Sequence, residues 1–289
     1  MSMSKNTSNR NGRALEYKVS LALAAIPNFS LTSRALADNQ RDAPKFAELS
    51  TLLQARYTTG SQKIAEWAQQ QIQGNVSIDR LADEAHDVTD IRLSSNQVEL
   101  NLSVKHNHKA LKHPRPYSFA QACGYEKGTA QDLEHRSAMD SIGKSFRAKA
   151  ANKSLFRDCD DVVKKSLYLD VCNVCATSLQ SWVLVDENVA NNLFSFIVNT
   201  GFYKIIVETK PSLEVSIEDY SNMPAPSMVT TIVNENRLIL KFDNGWEINN
   251  RIHTASSKIS AAGSQLSLKF DSQRTAGDIT GIVLFHDNK

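Results

Sequence analysis

The residues best suited to chemistry lie between Asp87 and His108, in the run DVTDIRLSSNQVELNLSVKHNH. Asp90 stands just before an apolar-alternating IRL. A polar SSNQ follows, then VELNLSV, which closes on Ser103-Val104-Lys105. Side chains alternate along a strand, so Glu99, Asn101, Ser103 and Lys105 share one face, while Leu100, Leu102 and Val104 face the opposite, apolar side. Hydrolysis of a phosphodiester needs a divalent cation against developing charge, a water attacking in line, and a group that orients or deprotonates it. Carboxylate oxygens suit a hard cation, and a lysine beside them suits the water. Asp90, at the open end of its strand, is placed to reach a metal. Taken alone the spacing is weak, because an aspartate before a strand and a lysine at its end are common surface residues.

Two further features bear on that chemistry. Arg13 and Glu16 fall in the first expected helix, and one inward glutamate there can complete an acidic cluster; a solvated helix charge is an equally good reading of the letters. Lys105, Lys109, Lys112 and Arg115, with His106, Asn107, His108 and His113 among them, form the densest basic run of the chain. It follows the proposed lysine, where a scissile phosphate and its neighbours would lie. The letters HNH at 106–108 do not indicate the nuclease class of that name, whose histidines are spread over tens of residues.

The elements that must position these groups follow from periodicity. Leu15, Val19, Ala22 and Leu23 recur at helical spacing, predicting a helix from about Gly12 that stops at Pro27. Residues 1–10 are polar and read as a flexible tail. Ile64, Trp67, Ala68 and Ile72 predict a second helix over 58–72, capped at Ser61 and ended by Gly74. From Asp90 the period changes to that of a β-hairpin. HNHKALKHPRPYSF reads as a loop, and residues 129–200 as mostly helical. Beyond Gly201 come seven short strand-like runs, with a hairpin turn at Asp243-Asn244-Gly245. The expected organisation is α+β: a nuclease core with a helical region over 11–200, and a β-rich region over 201–289 suited to DNA recognition.

Composition narrows the class. With 289 residues and 41% apolar content the chain can bury a real core. Net charge is only +2, so any nucleic-acid contact must be local rather than a general basic coat. No apolar run reaches the ~20 residues of a spanning helix, and the first residues lack a signal-peptide core, so a soluble, cytoplasmic protein without a membrane partner is expected. Four cysteines make no paired framework. Cys172 and Cys175 form a CxxC without a second half, which favours buried thiols over a metal or redox site. NNRIHTASSK, at 249–258, gathers base-reading side chains, although an ordinary amphipathic hairpin has the same composition.

Several stretches resemble the HaeIII-type restriction endonucleases, a branch of the PD-(D/E)XK nucleases. They are Gly12-Arg13-Ala14-Leu15-Glu16-Tyr17, Asp87-Val88-Thr89-Asp90-Ile91, Glu99 through His108, Lys112-His113-Pro114-Arg115, Phe202 through Ile206, Asn244 through Ile248, Arg251-Ile252-His253, Ala255 through Lys258, and Leu268 through Asp271. They keep the family's order from about residue 12 to 271. The resemblance implies a central mixed β-sheet flanked by helices, Mg²⁺ dependence, and cleavage of double-stranded DNA at a short palindrome, GGCC for the type member. It makes Asp90 the metal-binding aspartate and Lys105 the lysine near the attacking water. The second acidic position of the motif is Ser103 here; Glu16 or Glu99 would then supply the missing carboxylate, with Glu16 preferred. Arg251 becomes the expected guanine contact, with His253, Ser256 and Lys258 beside it. A palindrome invites a homodimer, and a restriction enzyme needs a cognate DNA methyltransferase to protect host DNA. A repair or structure-specific nuclease of the same fold, and a noncatalytic DNA-binding module, are the alternatives.

Overall fold

A computed structural model describes residues 3–81, 88–107, 111–151, 153–263 and 265–287, with side chains from residue 9 onward. The chain divides into two compact units. The first comprises Met1–Lys109, Thr200–Met223 and Ile279–Lys289; the second comprises Ala110–Asn199 and Pro224–Asp278. Both are mixed α and β. The chain passes between the units at 109/110, 199/200, 223/224 and 278/279, the second of these beside the expected 200/201. The helical stretch and four of the late strands are two separate excursions from the first unit's sheet, and the chain returns to that sheet after each.

The first unit is a seven-stranded mixed sheet with three helices. Its strands are β1 (Phe29–Leu31), β2 (Val76–Arg80), β3 (Ile91–Ser94), β4 (Glu99–His106), β5 (Tyr203–Glu208), β6 (Glu214–Asp219) and β11 (Gly281–His286), in the order β1-β2-β3-β4-β5-β6-β11. β2, β3 and β4 run antiparallel in succession, and β5 joins β4 in parallel, with Val104 opposite Ile205 and Lys105 opposite Ile206. β5 is buried along Lys204–Val207; an apolar run such as Ile205-Ile206-Val207 suits a strand covered on both faces.

The helices are α1 (Met3–Ala24), α2 (Ser33–Ala47) and α3 (Thr51–Gln71). Leu15, Val19, Leu23, Tyr57, Ile64 and Trp67 join Ile78, Leu93, Leu102 and Val207 in one core. α1 starts ahead of the expected Gly12, at Met3, and ends before Pro27 as expected. α3 starts at Thr51 rather than Thr58, because the Ser50 side chain accepts from the Leu53 amide and caps an earlier turn. Ser61, the expected cap, is buried in mid-helix. α2 is strongly sided, but its buried positions are Ala35, Asn39 and Asp42 rather than an aliphatic run, and it is not among the expected elements; Thr32 caps it by accepting from the Ala35 amide at 3.1 Å.

The second unit contains α4 (Phe119–Ala122), α5 (Ala130–Lys149), α6 (Asp161–Val183) and α7 (Val189–Val198), with a four-stranded antiparallel sheet. Its strands are β7 (Val229–Asn234), β8 (Arg237–Phe242), β9 (Glu247–Thr254) and β10 (Leu268–Ala276), ordered β10-β9-β8-β7. Gly245, at φ +88°, makes the turn between β8 and β9, a conformation free to glycine. Phe119 meets Phe270 at 6.3 Å, and Phe194 meets Trp246 at 5.3 Å, fixing helices to sheet. No helix among the described residues is long and apolar enough to cross a membrane.

Candidate metal centre

Asp90 occupies the position the hairpin dictates. Its amide donates to the Leu102 carbonyl at 2.9 Å, continuing the β3–β4 ladder and setting its side chain beside the end of β4. There Oδ2 accepts from the Val104 amide at 2.7 Å, from Lys105 Nζ at 3.0 Å and from Ser103 Oγ at 3.4 Å. Ser103 is buried and Lys105 half-buried. One carboxylate oxygen is thus clamped by the SVK segment. Oδ1 accepts no hydrogen bond among the described residues.

Glu16 reaches the same neighbourhood from α1. It is 7% exposed, and its Oε2 accepts from Arg80 Nη2 at 2.8 Å and Arg13 Nη1 at 3.0 Å. Burial pushes its carboxyl above the usual range, and the nearby Asp90 charge pushes the same way, against Arg13 and Arg80. Oε1, like Asp90 Oδ1, has no hydrogen-bond partner among the described residues.

Arg80 was missed in the sequence. It ends β2, whose alternation puts Val76, Ile78 and Arg80 on the buried side, and that inward position was the available signal. At 1% exposure it donates to Glu16, to Asp42 Oδ2 at 2.9 Å and to Asn39 Oδ1 at 3.1 Å; Asn39 in turn accepts from Ser20 Oγ at 2.8 Å. Burial alone would raise the Asp42 carboxyl, but hydrogen bonds from Arg41 and Lys45 and the charge of Arg80 hold it well below the usual carboxylate range. The buried cation therefore ties α1 and α2 to β2 and fixes the orientation of Glu16.

Glu99 is not brought to this group. It pairs with Ser94 at the far end of the hairpin, about 13 Å along the strand from Ser103, where it is exposed and lies 3.4 Å from Arg92. Among the described residues no three His, Cys, Asp or Glu side chains gather as a metal cluster. Glu16 does lie within electrostatic reach of Asp90, and each carboxylate has one oxygen clamped and one without a hydrogen bond among the described residues. That set fits Mg²⁺, which takes one or two protein carboxylates and keeps several waters.

The basic run after Lys105 is divided. His106 Nε2 contacts Thr209 Oγ1 at 2.9 Å and its ring meets Tyr57 edge-on; burial, then the charge of Lys210, lowers its pKa. Asn107 Oδ1 accepts from the Thr209 amide at 2.8 Å. Both thus fasten the end of β4 to the segment after β5. His108, Lys109 and Asp87 lie outside the described residues. Lys112 and Arg115 belong to the second unit: Lys112 Nζ sits 4.4 Å over the Phe196 ring, with its pKa lowered by burial, and Arg115 is exposed.

In that unit, Arg251 and His253 project from β9, on the face opposite buried Asn250 and Ile252. Arg251 Nη2 lies 3.2 Å from Asp271 Oδ2. Ser256 Oγ accepts from the Lys258 amide at 3.1 Å in the turn beyond β9, and Lys258 is exposed. All four cysteines are free and buried, and burial pushes the Cys172 thiol up to about 12. Compared with known proteins, the chain matches no family model, no curated protein and no solved structure.

Proposed function

We propose that the protein is a metal-dependent endonuclease of double-stranded DNA, a type II restriction enzyme of the PD-(D/E)XK kind. The observation that carries this reading is the grip of Val104 and Lys105 on Asp90 Oδ2, with the buried Glu16 carboxylate electrostatically coupled to Asp90. The seven-stranded mixed sheet with its helices is the architecture that the HaeIII-type resemblance implies.

Asp90 and Glu16 would hold Mg²⁺ through their unclaimed oxygens. Bound there, the ion offsets charge on the phosphoryl oxygens and lowers the pKa of a water. Lys105 supplies a fixed ammonium within 3.0 Å of Asp90, placed to orient the attacking water and to balance the phosphorane charge. Arg80 and Arg13 keep Glu16 pointed at the site. Ser103 adds a hydroxyl where the motif has a carboxylate, so Glu16 takes over the second acidic role. GGCC as target, a homodimer matched to a palindrome, and a cognate methyltransferase are part of the proposal.

Ser103 is also what favours a second reading, a noncatalytic DNA-binding module of this fold. Plasmid digestion separates the two. Wild-type protein with Mg²⁺ is expected to give discrete fragments, and Asp90→Ala and Lys105→Ala are each expected to lose at least about 10²–10³-fold in rate, the range for removing one electrostatic stabiliser of the transition state. DNA left uncut by wild type with Mg²⁺, Mn²⁺ or Co²⁺ overturns the enzyme reading; a smear without discrete bands overturns the restriction reading.

A further inference from the structure

The four-stranded sheet of the second unit has two unlike faces. Leu238, Leu240, Ile248 and Phe270 point to the buried side, where α6 packs on β7 and β8. The other face carries an arrangement that is unfavourable in a free protein. Arg237 of β8 stands directly opposite Arg251 of β9, and on the next rung His253 of β9 stands opposite Lys269 of β10. Like charges directly opposed across strands destabilise a sheet. Asp271 answers Arg251 at 3.2 Å. Among the described residues, neither Arg237 nor Lys269 has a carboxylate partner. The crowding is felt at His253, whose pKa is lowered by burial first and then by Lys269 and Arg251.

One rung further along β9, Asn249 stands opposite Gln273 of β10. Neither amide makes a hydrogen bond among the described residues, and Asn249 Oδ1 is buried without a partner. A buried polar atom left unpaired is uncommon and calls for a physical reason. Two free amides beside a cluster of uncompensated cations supply one: side chains kept for an outside partner with phosphates and hydrogen-bonding edges.

We infer that this face of β8, β9 and β10 is a duplex-DNA reading surface, with Arg237 and Lys269 neutralising phosphates and Arg251, Asn249 and Gln273 meeting base edges. Rungs on one face lie about 6.8 Å apart along a strand, and strands about 4.8 Å apart, so the three strands span about 10 Å. A major groove about 12 Å wide admits a two-stranded β-ribbon, the width of β9 and β10, with β8 left at the rim where Arg237 meets the backbone; Arg to guanine and Asn or Gln to adenine are the groove's usual pairings. The choice of occupant rests on the nuclease reading; the charge and amide pattern stands without it.

The test is duplex binding by the full chain in EDTA, where no cutting occurs, read by fluorescence anisotropy on a labelled GGCC duplex across a salt series. Arg237→Gln with Lys269→Gln is expected to weaken binding at least tenfold and to flatten the slope of log K against log salt by about 1.8, at about 0.9 per phosphate contact. Arg237→Lys, which keeps the charge, is expected to retain its share of the slope. Asn249→Ala with Gln273→Ala is expected to leave the slope unchanged while reducing preference for the cut sequence over a scrambled duplex. Unaltered slope and affinity in the Gln pair overturn the inference even if wild type cuts plasmid, and the nuclease reading then survives. A flattened slope in a protein that never cuts upholds this surface and overturns the nuclease. Single-stranded DNA bound as tightly as duplex refutes the assigned occupant.

Discussion

Replacing Arg80 by Met isolates the device that holds Glu16 in place. The guanidinium is almost fully buried and touches two carboxylates through Nη2, Glu16 at 2.8 Å and Asp42 at 2.9 Å. Asp42 would keep Arg41 at 2.9 Å and Lys45 at 2.7 Å. Glu16 would keep only Arg13, at 3.0 Å. Removing one partner of a buried ion pair costs about 3–5 kcal/mol; because Asp42 retains two cations, the lower end, about 3 kcal/mol, is expected. At about 1.4 kcal/mol per tenfold, hydrogen exchange of β2 and α1 amides should speed up by roughly 10²-fold. A raised carboxyl contributes stability that is present below its unfolded value, 4.5, and is lost as pH rises through its folded value. Met at position 80 raises Glu16 further, so the defect should be small near pH 4.5 and full near neutrality. Adding Glu16→Gln removes the orphaned charge and should recover about 1–3 kcal/mol, the size of coupling expected between contacting residues. Exchange changed less than threefold, or no recovery in the double variant, would refute Arg80 as the cation that keeps Glu16 charged and aimed.

Other tests address the second unit. His135 is buried, with Nε2–H donating to the Pro116 carbonyl at 2.7 Å, which leaves Nδ1 to accept from Ser178 Oγ at 3.0 Å; burial lowers its pKa despite the Pro116 bond. Its neutral form is the folded form, so this stability is present above about pH 6.5 and falls away as pH drops towards the lowered folded value. Fluorescence of Trp182, whose ring lies 5.6 Å from His135, should report destabilisation by urea at pH 5.5 relative to 7.5, and His135→Gln should reduce that difference; an unchanged difference refutes the assignment. Gly124 has φ +95°, and a Cβ there would collide with the Asn192 side chain. Gly124→Ala should therefore lower stability by about 1–3 kcal/mol, measured by urea midpoint, and a neutral result would mean the α4 and α7 segments adjust freely.

Legibility in the sequence followed how local the cause was. The β3–β4 hairpin is encoded by alternation over sixteen residues, so the approach of Lys105 to Asp90 could be anticipated from the strand period and a short turn. The turn at Asp243-Asn244-Gly245 is equally local, since positive φ selects its glycine. Glu99 shares a face with Lys105, but a face does not specify distance: antiparallel register sends it to Ser94 at the opposite end of the hairpin. Arg80 meets Glu16 across 64 positions, and no short window can show an ion pair of that span. The β-rich last third was divided between two sheets for the same reason. β5 is buried along most of its length and joins β4 in parallel, whereas β7 to β10 alternate and close as an antiparallel meander against α6. The continuous apolar run marks β5 as covered on both faces, but β6 alternates like β8 and β9 and still pairs with β5, so sheet membership, a long-range pairing, was not legible in the strand pattern. The same distinction bears on the proposed chemistry. The hairpin contributes Asp90 and Lys105 by local rules, while the second carboxylate depends on a long-range buried cation, so loss of Arg80 should disable Glu16 and leave the Asp90–Lys105 contact intact.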